Sequence, residues 1–211
     1  MHMTFIIGTC FSSVPKYQDK VPDLTMPPHW ENNYQDLNAN TIRDNFLLPQ
    51  VNNILADCTR GKIFGKMDMT NSFFQTQVHP DDIHLTVVWT PWGLYEWTVM
   101  PMGGCNASST HQRCMTNAHY ELIGRICHVY LDDIIIWSQT VEEHEINVAK
   151  VLEALCKANL FCNGAKTTLF SLEISFLGHK ISADGIHANP GRLTAFWTGQ
   201  HQQPWWMCGD F

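Results

Sequence analysis

The sequence of 211 residues contains few basic residues and no long apolar run. Its 13 lysines and arginines are outnumbered by 20 aspartates and glutamates, and the formal net charge is -7. Because a protein that grips a phosphate backbone usually has a basic surface, any nucleic-acid function must overcome this objection. No segment approaches the roughly 20 consecutive apolar residues needed to cross a bilayer, and the first apolar run is too short for a signal peptide. We therefore expect an intracellular protein, cytoplasmic or nuclear, with no membrane partner.

The eight cysteines include no C-x-x-C pair. Several of them, such as Cys127 and Cys156, lie in apolar patterns, where a reduced thiol behaves as a small hydrophobe. Neither a disulfide framework nor a zinc site is therefore expected. With 45% hydrophobic and 16% charged residues, the chain is long enough for one large domain or two small lobes with a real core.

The middle of the chain carries most of the secondary-structure signal. Residues 1–40 are polar and rich in turn formers, so we expect a loop or an incomplete lobe there. From about Ile63 the pattern changes to short β-like runs. These runs are IFGKMD, FFQTQV, HLTVVWT and LYEWTVM, and a later run, ISFLGHKIS, has the same character.

Two helices and a hairpin are predicted in the second half. Residues 106–122 form the first helix, and ICHVY and IIIWS form the arms of the hairpin. Thr140 and Glu143 form a capping box at the start of the second helix. The apolar residues that share one face of this helix are Val148, Val151, Leu152 and Leu155. This order of elements predicts an α+β fold, in which helices cover one face of an antiparallel sheet.

Two adjacent aspartates interrupt the apolar stretch HVYLDDIIIW. A hairpin turn at this point would project Asp132 and Asp133 together from the end of the sheet. Two such carboxylates repel each other unless a cation is supplied, and Mg²⁺ takes carboxylate and phosphate oxygens. Asp68 ends the run KIFGKMD and would lie at the end of a neighbouring strand. The three acids suit a two-metal site, although an Asp-Asp pair is also common as plain solvated turn chemistry.

Four segments identify a family. They are FGKMDMTNSFFQ, GLYEWTVMPMG followed by NASSTHQR, VYLDDIII and FLGHKISADGI. In this order they resemble the reverse transcriptase of gypsy-like long-terminal-repeat retrotransposons, as a truncated fragment of a polyprotein of the fungal type. The resemblance covers residues 34–192 and implies a palm, formed by the antiparallel sheet with its helices, together with partial fingers. Residues 1–33 are then a poorly defined amino-terminal segment, and residues 193–211 a divergent tail that we expect to be disordered.

The resemblance also implies roles for the acids and their ligands. Asp68 and Asp132 would hold two Mg²⁺ ions, or Mn²⁺ in their place, between the primer 3′-hydroxyl and the incoming deoxynucleoside triphosphate. Asp133 would be a less direct third acid. Phe73 matches the aromatic residue under the sugar of the incoming nucleotide, where a ring would crowd a 2′-hydroxyl. Taken without the family, Phe73 would be read as an ordinary core residue.

Further positions carry over to the nucleotide and to the primer–template. Met102 and Tyr130 match nucleotide-binding positions. Gln112 and Arg113 match a pair on the helix behind the template strand, while Lys166 falls where the family has a pair of lysines. Leu177 and Gly178 match the turn that grips the primer end. From the residues alone, these positions could equally be helix surface, a solvated charge and a plain turn.

Some positions depart from the family pattern. In HWENNYQDLN, Glu31 and Gln35 stand in or near positions where basic residues would meet the triphosphate, and their loss removes charge-assisted phosphate contacts. Gly104 replaces a usual leucine and would leave a packing gap if it were buried. Ser108 replaces a usual proline. We also expect the thumb and RNase H portions to be absent, with RNase H and integrase as missing partners of the same polyprotein.

Three functions therefore stay open at the level of sequence. The first is an RNA-directed DNA polymerase domain that acts on an RNA or DNA template with a primer. The second is a catalytically silent remnant of such an element, which at most binds nucleic acid or another protein. The third is an unrelated metal-dependent phosphohydrolase that uses the same acids, against which the family motifs count.

Overall fold

A computed structural model describes residues 9–14, 17–18, 21–22 and 29–188. The predicted tail at 193–211 lies outside these residues. The first part of the chain contains β1 (Thr9–Val14), β2 (Tyr17–Gln18), β3 (Val21–Pro22), β4 (His29–Asn32), α1 (Gln35–Asn40) and α2 (Val51–Cys58). The middle contains β5 (Ile63–Asp68), β6 (Val88–Thr90), β7 (Gly93–Tyr95), α3 (Ala107–Ala118), β8 (Cys127–Tyr130) and β9 (Asp133–Ser138). The last part contains α4 (Val141–Lys157), β10 (Thr168–Ser171), β11 (Glu173–Phe176), β12 (His179–Ser182) and β13 (Gly185–Ala188).

A four-stranded antiparallel sheet in the order β10, β5, β9, β8 forms the centre of the described fold. Its inner strand β9 is apolar at nearly every position because both of its faces are covered. Successive side chains of a strand point to opposite faces, so Ile134 and Ile136 pack on one side while Ile135 and Trp137 pack on the other. The predicted α+β palm sheet is confirmed.

The first face of the sheet carries α3 and α4, as the sequence predicts. Met115 from α3 and three residues of α4 are buried against Met67, Val129 and their neighbours. The α4 residues are Val148, Val151 and Leu155. Each such fully buried aliphatic side chain stabilises the fold by about 1.5–3 kcal/mol. Leu152, predicted for the same face, is 40% exposed, because it lies at the edge of the apolar stripe.

The opposite face is covered by α2 and by a separate antiparallel sheet of β11, β12 and β13. Ile54 and Cys58 of α2 are buried with Phe64 and Ile135 of the central sheet. Phe176 is buried in the same cluster. Because this second layer covers the other face of the sheet, β5 and β9 contribute apolar side chains to a core on each side.

The amino-terminal strands join a second sheet, in the order β4, β1, β6, β7. β1 pairs with β4 in antiparallel and with β6 in parallel. The sequence shows no sustained period in this region, where a loop or an incomplete lobe was expected. These strands are defined by pairing with a distant segment, which local periodicity cannot report.

The predictions for local structure had mixed outcomes. The predicted helix at 106–122 is α3, which ends at Ala118. At α4 the capping box forms, since Thr140 Oγ1 accepts from the Glu143 N–H at 3.2 Å. The predicted strand FFQTQV is wrong, because Ser72–Gln75 form a 3₁₀ helix that begins after Asn71 at a φ of 45°. Pro80 similarly starts a 3₁₀ helix, Pro80–Thr86, which shortens the predicted strand HLTVVWT to β6.

Candidate active site

The three predicted acids lie together at one end of the central sheet. Asp68, the last residue of β5, is directly opposite Asp133, the first residue of β9. Tyr130 at the end of β8 also pairs with Asp133, so Leu131 and Asp132 form a two-residue hairpin turn. The Met69 N–H donates to the Asp132 carbonyl at 2.9 Å and ties this turn to the chain that follows β5. The predicted hairpin is therefore confirmed, with Asp132 in its turn.

Two lysines neutralise two of the acids. Lys66 Nζ lies 2.9 Å from Asp133 Oδ1, and both side chains are about three-quarters buried. Lys166 Nζ lies 3.4 Å from Asp68 Oδ1, although the lysine itself is 65% exposed. Asp132 is exposed and forms no salt bridge within the part of the chain that the structure describes. The site therefore contains one rigid cation, one movable cation and one free carboxylate.

Burial raises the pKa of Asp133 above its ordinary value. The hydrogen bond and the charge of Lys66 lower this pKa in part, while the negative charges of Asp132 and Asp68 raise it further. Asp133 thus senses the charges of both neighbouring acids.

Carboxylate oxygens are the ligands that Mg²⁺ and Mn²⁺ prefer, so this donor set fits a hard divalent cation. Across residues 29–188 and the shorter described segments before them, no three His, Cys, Asp or Glu side chains come close enough to hold one ion. Asp133 is engaged by Lys66, which leaves Asp68 and Asp132 as the acids that could bind metal directly.

Strand alternation decides which face the site uses. Asp68 and Asp133 lie on the same side of the sheet as Phe64 and Ile135, toward α2 and β11–β13. Tyr130 packs against that cluster as well, and so does Leu177. Leu177 and Gly178 form the two-residue turn between β11 and β12. The predicted primer-side turn and the acids therefore share one face of the fold.

Gln112 and Arg113 are neighbours on α3 but lie in different environments. Gln112 is fully buried, and its Oε1 accepts from the Leu131 N–H at 2.7 Å. Its Nε2 donates to the Val129 carbonyl at 3.1 Å. Arg113 is exposed, and its Nη2 donates to both carboxylate oxygens of Asp44, at 2.8 and 2.6 Å. Of the pair, only Arg113 presents a polar group to solvent.

The predicted nucleotide side centres on Phe73, whose ring centroid lies 5.2 Å from that of His111. His111 is fully buried, and neither ring nitrogen has a hydrogen-bond partner of normal geometry. Burial lowers the pKa of His111, which the nearby Leu131 backbone offsets in part. A neutral imidazole therefore supports the Phe73 ring from the inside. Met102 and Tyr130 are each half-buried.

The loop before α3 is held by a residue that sequence reasoning missed. Asn38 Nδ2 donates to the Gly103 carbonyl at 2.9 Å, and Asn38 Oδ1 accepts from the Cys105 N–H at 2.8 Å. Gly103 has a φ of +102°, and a Cβ there would lie 2.6 Å from the Asn32 carbonyl oxygen, so only glycine fits. Gly104 is only half-buried and has open space beside it. A packing gap was expected only if this position were buried, so that condition is not met.

Lys66 was also missed, although the sequence contained a signal. Lys66 and Asp68 are two residues apart on a strand, so they must point to the same face. That spacing places a cation beside the acids. The role of Asn38 had a weaker signal, because its contacts span more than 60 residues.

Comparisons with known proteins identify the family of this chain. Residues 22–181 match the family described as reverse transcriptase (RNA-dependent DNA polymerase). The chain is 37% identical over 162 residues to the Retrovirus-related Pol polyprotein from transposon opus of Drosophila melanogaster, and 33% identical over 162 residues to that from transposon gypsy. Each match covers 77% of this chain and 16% of the polyprotein. The chain thus spans about one-sixth of the length of these relatives. Their names do not test the prediction that the polyprotein is of the fungal type.

A solved structure has a similar fold. It is that of the foamy viral protease-reverse transcriptase in complex with an RNA/DNA hybrid. The TM-score is 0.76 at 24% sequence identity, over 89% of this chain and 24% of the other. None of the helices described here is long and apolar enough to cross a membrane.

Proposed function

This chain belongs to the reverse transcriptase (RNA-dependent DNA polymerase) family, and we propose that it is the part of such a polymerase that joins deoxynucleotides to a primer. The observation that carries the proposal is the register that sets Asp68 opposite Asp133, with Asp132 in the adjoining turn. Acids grouped at one end of a sheet suit in-line nucleotidyl transfer, which depends on positioning and on neutralising charge.

Family members generally use divalent metal ions, and we assign Mg²⁺ to this chain, with Mn²⁺ as a substitute. Asp68 and Asp132 would hold the ions. When bound, such ions lower the pKa of the attacking hydroxyl and neutralise charge on the phosphates. Lys166 reaches Asp68 from an exposed position, so its ammonium can leave that carboxylate when a stronger cation binds. Asp133 remains the less direct acid because Lys66 already pairs with it.

The proposed nucleotide pocket consists of Phe73, Met102 and Tyr130. The Phe73 ring rests on the buried His111 and is therefore fixed rather than free to yield. A fixed ring under the sugar would clash with a 2′-hydroxyl and favour deoxynucleotides. Tyr130 lies beside Asp133 across the hairpin, which is the correct side of the sheet for a group that contacts the same substrate.

The proposed primer–template surface includes Arg113, Lys166, Leu177 and Gly178. Leu177 shares the face of the sheet that carries the acids, which supports a primer contact near the reacting end. Arg113 and Lys166 supply exposed cations. Gln112 is assigned to this surface by the family pattern, but its side chain is buried behind the sheet. We therefore expect the template to meet the outer side of α3 and not the Gln112 amide.

The relatives are named Pol polyproteins, and we propose RNase H and integrase portions of the same polyprotein as partners of this domain. The foamy viral neighbour was solved with an RNA/DNA hybrid, which is the class of ligand that we propose here. A formal net charge of -7 indicates that other parts of the complex supply much of the basic surface.

A second candidate is a catalytically silent member of the family. The observation that favours it is the presence of Glu31 and Gln35 where basic residues would meet the triphosphate. Both candidates predict the same fold, so only a measurement of activity separates them.

The test is primer extension by the purified chain. The chain receives an RNA template, a DNA primer, Mg²⁺ and deoxynucleoside triphosphates, and we expect template-dependent extension. Asp132→Asn should reduce extension to background with no loss of folding, because the substitution conserves the shape of an exposed side chain. Extension by wild type no greater than by Asp132→Asn would reject the active polymerase and leave the silent one.

A further inference from the structure

We propose that Gln112 is a positioning residue that fixes the Leu131–Asp132 turn from behind the sheet, and so sets where the Asp132 carboxylate lies. This inference rests on the proposed function, because it assigns Asp132 a catalytic role. It gives Gln112 a different role from a contact with the template.

Both the oxygen and the nitrogen of the Gln112 amide form hydrogen bonds with the hairpin that carries Asp132 and Asp133. Its oxygen accepts from the Leu131 N–H at 2.7 Å, and its nitrogen donates to the Val129 carbonyl at 3.1 Å. The same nitrogen lies 3.2 Å from Thr116 Oγ1, one turn along α3, which holds the side chain in place. A side-chain amide suits this arrangement because it is neutral and carries a donor and an acceptor side by side.

The backbone of the turn needs such support. Leu131 has a φ of 52°, and Asp132 is not among the residues with positive φ. In a two-residue hairpin loop, positive φ at the first position alone is the pattern of a type II′ turn, in which glycine is preferred. A residue other than glycine is strained in such a conformation, which persists only where the surroundings hold it.

Two contacts hold this turn from different sides. Gln112 reaches it from α3, on the face opposite to the acids, and the Met69 N–H binds the Asp132 carbonyl at 2.9 Å. Asp132 itself is exposed, so no side-chain packing fixes its carboxylate. Its position therefore depends on the backbone that Gln112 secures.

The test compares Gln112→Leu with Gln112→Glu and with Asn147→Leu in the full chain. Leucine removes both hydrogen bonds to the hairpin, whereas glutamate keeps an oxygen for the Leu131 N–H. Asn147 is a matched control, because it is a buried amide on α4 that donates to Ser138 Oγ at 2.9 Å, away from the turn. Thermal unfolding of each variant sets the temperature at which all remain folded.

We expect Gln112→Leu to lower kcat for primer extension roughly 10–100-fold, since a displacement of about 1 Å at a reacting group has effects of this size. KM for primer–template should change less than kcat. Gln112→Glu should restore part of the rate, and Asn147→Leu should keep the wild-type kcat. Amide exchange at Leu131, followed by NMR, should accelerate in Gln112→Leu alone.

Other results would overturn the proposal. An unchanged Leu131 exchange rate would do so, as would a loss confined to KM for primer–template, which would indicate a template contact. If wild type itself fails to extend a primer, the proposed function fails, but Leu131 exchange and Mn²⁺ titration still test the positioning. Either equal Leu131 exchange or equal Mn²⁺ affinity in wild type and Gln112→Leu would then reject it.

Discussion

Two hairpin turns in this fold begin with a leucine at positive φ, but they are stabilised differently. The turn at Leu177 continues with Gly178, whose φ is 79°, so both loop residues adopt the left-handed conformation of a type I′ turn. The turn at Leu131 continues with Asp132, and its backbone is held by the buried Gln112. Gly178 adopts its positive φ without strain, whereas the Leu131 turn is held by a side chain from another element.

The surroundings of the two turns differ in the same way. The strand pair next to Leu177 carries the ion pair of Lys180 and Glu173, at 2.6 Å, with both side chains about half exposed. The strands next to Asp132 carry the ion pair of Lys66 and Asp133, with both side chains largely buried. Buried charge is therefore concentrated next to the turn that carries the acid, which is typical of functional sites.

The largest difference that we predict between the turns concerns their lysines. Lys66→Met should lower the free energy of unfolding by about 1–3 kcal/mol, because it leaves the Asp133 carboxylate buried and unpaired. Lys180→Met should change it by less than about 1 kcal/mol, as exposed ion pairs do. Urea unfolding of both variants measures the two values. Equal losses would show that burial does not distinguish the pairs.

A smaller difference is expected at the second loop position. Gly178→Ala should cost about 1 kcal/mol of stability, because alanine tolerates the positive φ less well than glycine. Asp132→Ala should leave stability within about 0.5 kcal/mol, since the residue is exposed and needs no special backbone. Thermal unfolding gives both numbers. A large destabilisation by Asp132→Ala would mean that the acid also supports the fold.

The smallest effect is a dependence of stability on pH at the acidic turn. The pKa of Asp133 is raised in the folded protein, so the folded state holds this proton more tightly than the unfolded state does. Its contribution to stability is full below the ordinary Asp pKa and is lost as pH rises through the folded pKa.

Asp133→Asn should therefore gain stability relative to wild type as pH rises from about 3 to about 7, and unfolding across this range tests it. A constant difference between Asp133→Asn and wild type at every pH would contradict the burial of this carboxylate.

The elements with strong local patterns were predictable. The apolar arms of β8 and β9 predicted the hairpin, and the capping box at Thr140 predicted the start of α4. The 3₁₀ helix around Phe73 was not predictable from the sequence. Its Gln75 side chain accepts from the Phe161 N–H at 2.7 Å, and this partner lies 86 residues away in the chain. Period alone cannot register such a partner.

The proximity of the three acids was predictable from the sequence, whereas the residues that contact them were not. Asp68, Asp132 and Asp133 stand out because charge next to apolar strands needs a reason. Lys66 and His111 do not stand out in the sequence in this way. A lysine on a strand or a histidine on a helix can have many roles, and only its burial and contacts in the structure show which role it has. The roles given to Phe73, Met102, Tyr130, Arg113, Lys166, Leu177 and Gly178 stay predictions that follow from family membership.

The sequence alone determined the family, the α+β palm and the position of the acids in the chain, because these depend on residue order and on the alternation of apolar side chains. The tertiary structure alone decided which acid is free, which lysine is fixed and where Gln112 points. Those features come from contacts between segments far apart in the chain, such as α3 with the turn at Leu131, and a linear pattern carries no distances between them.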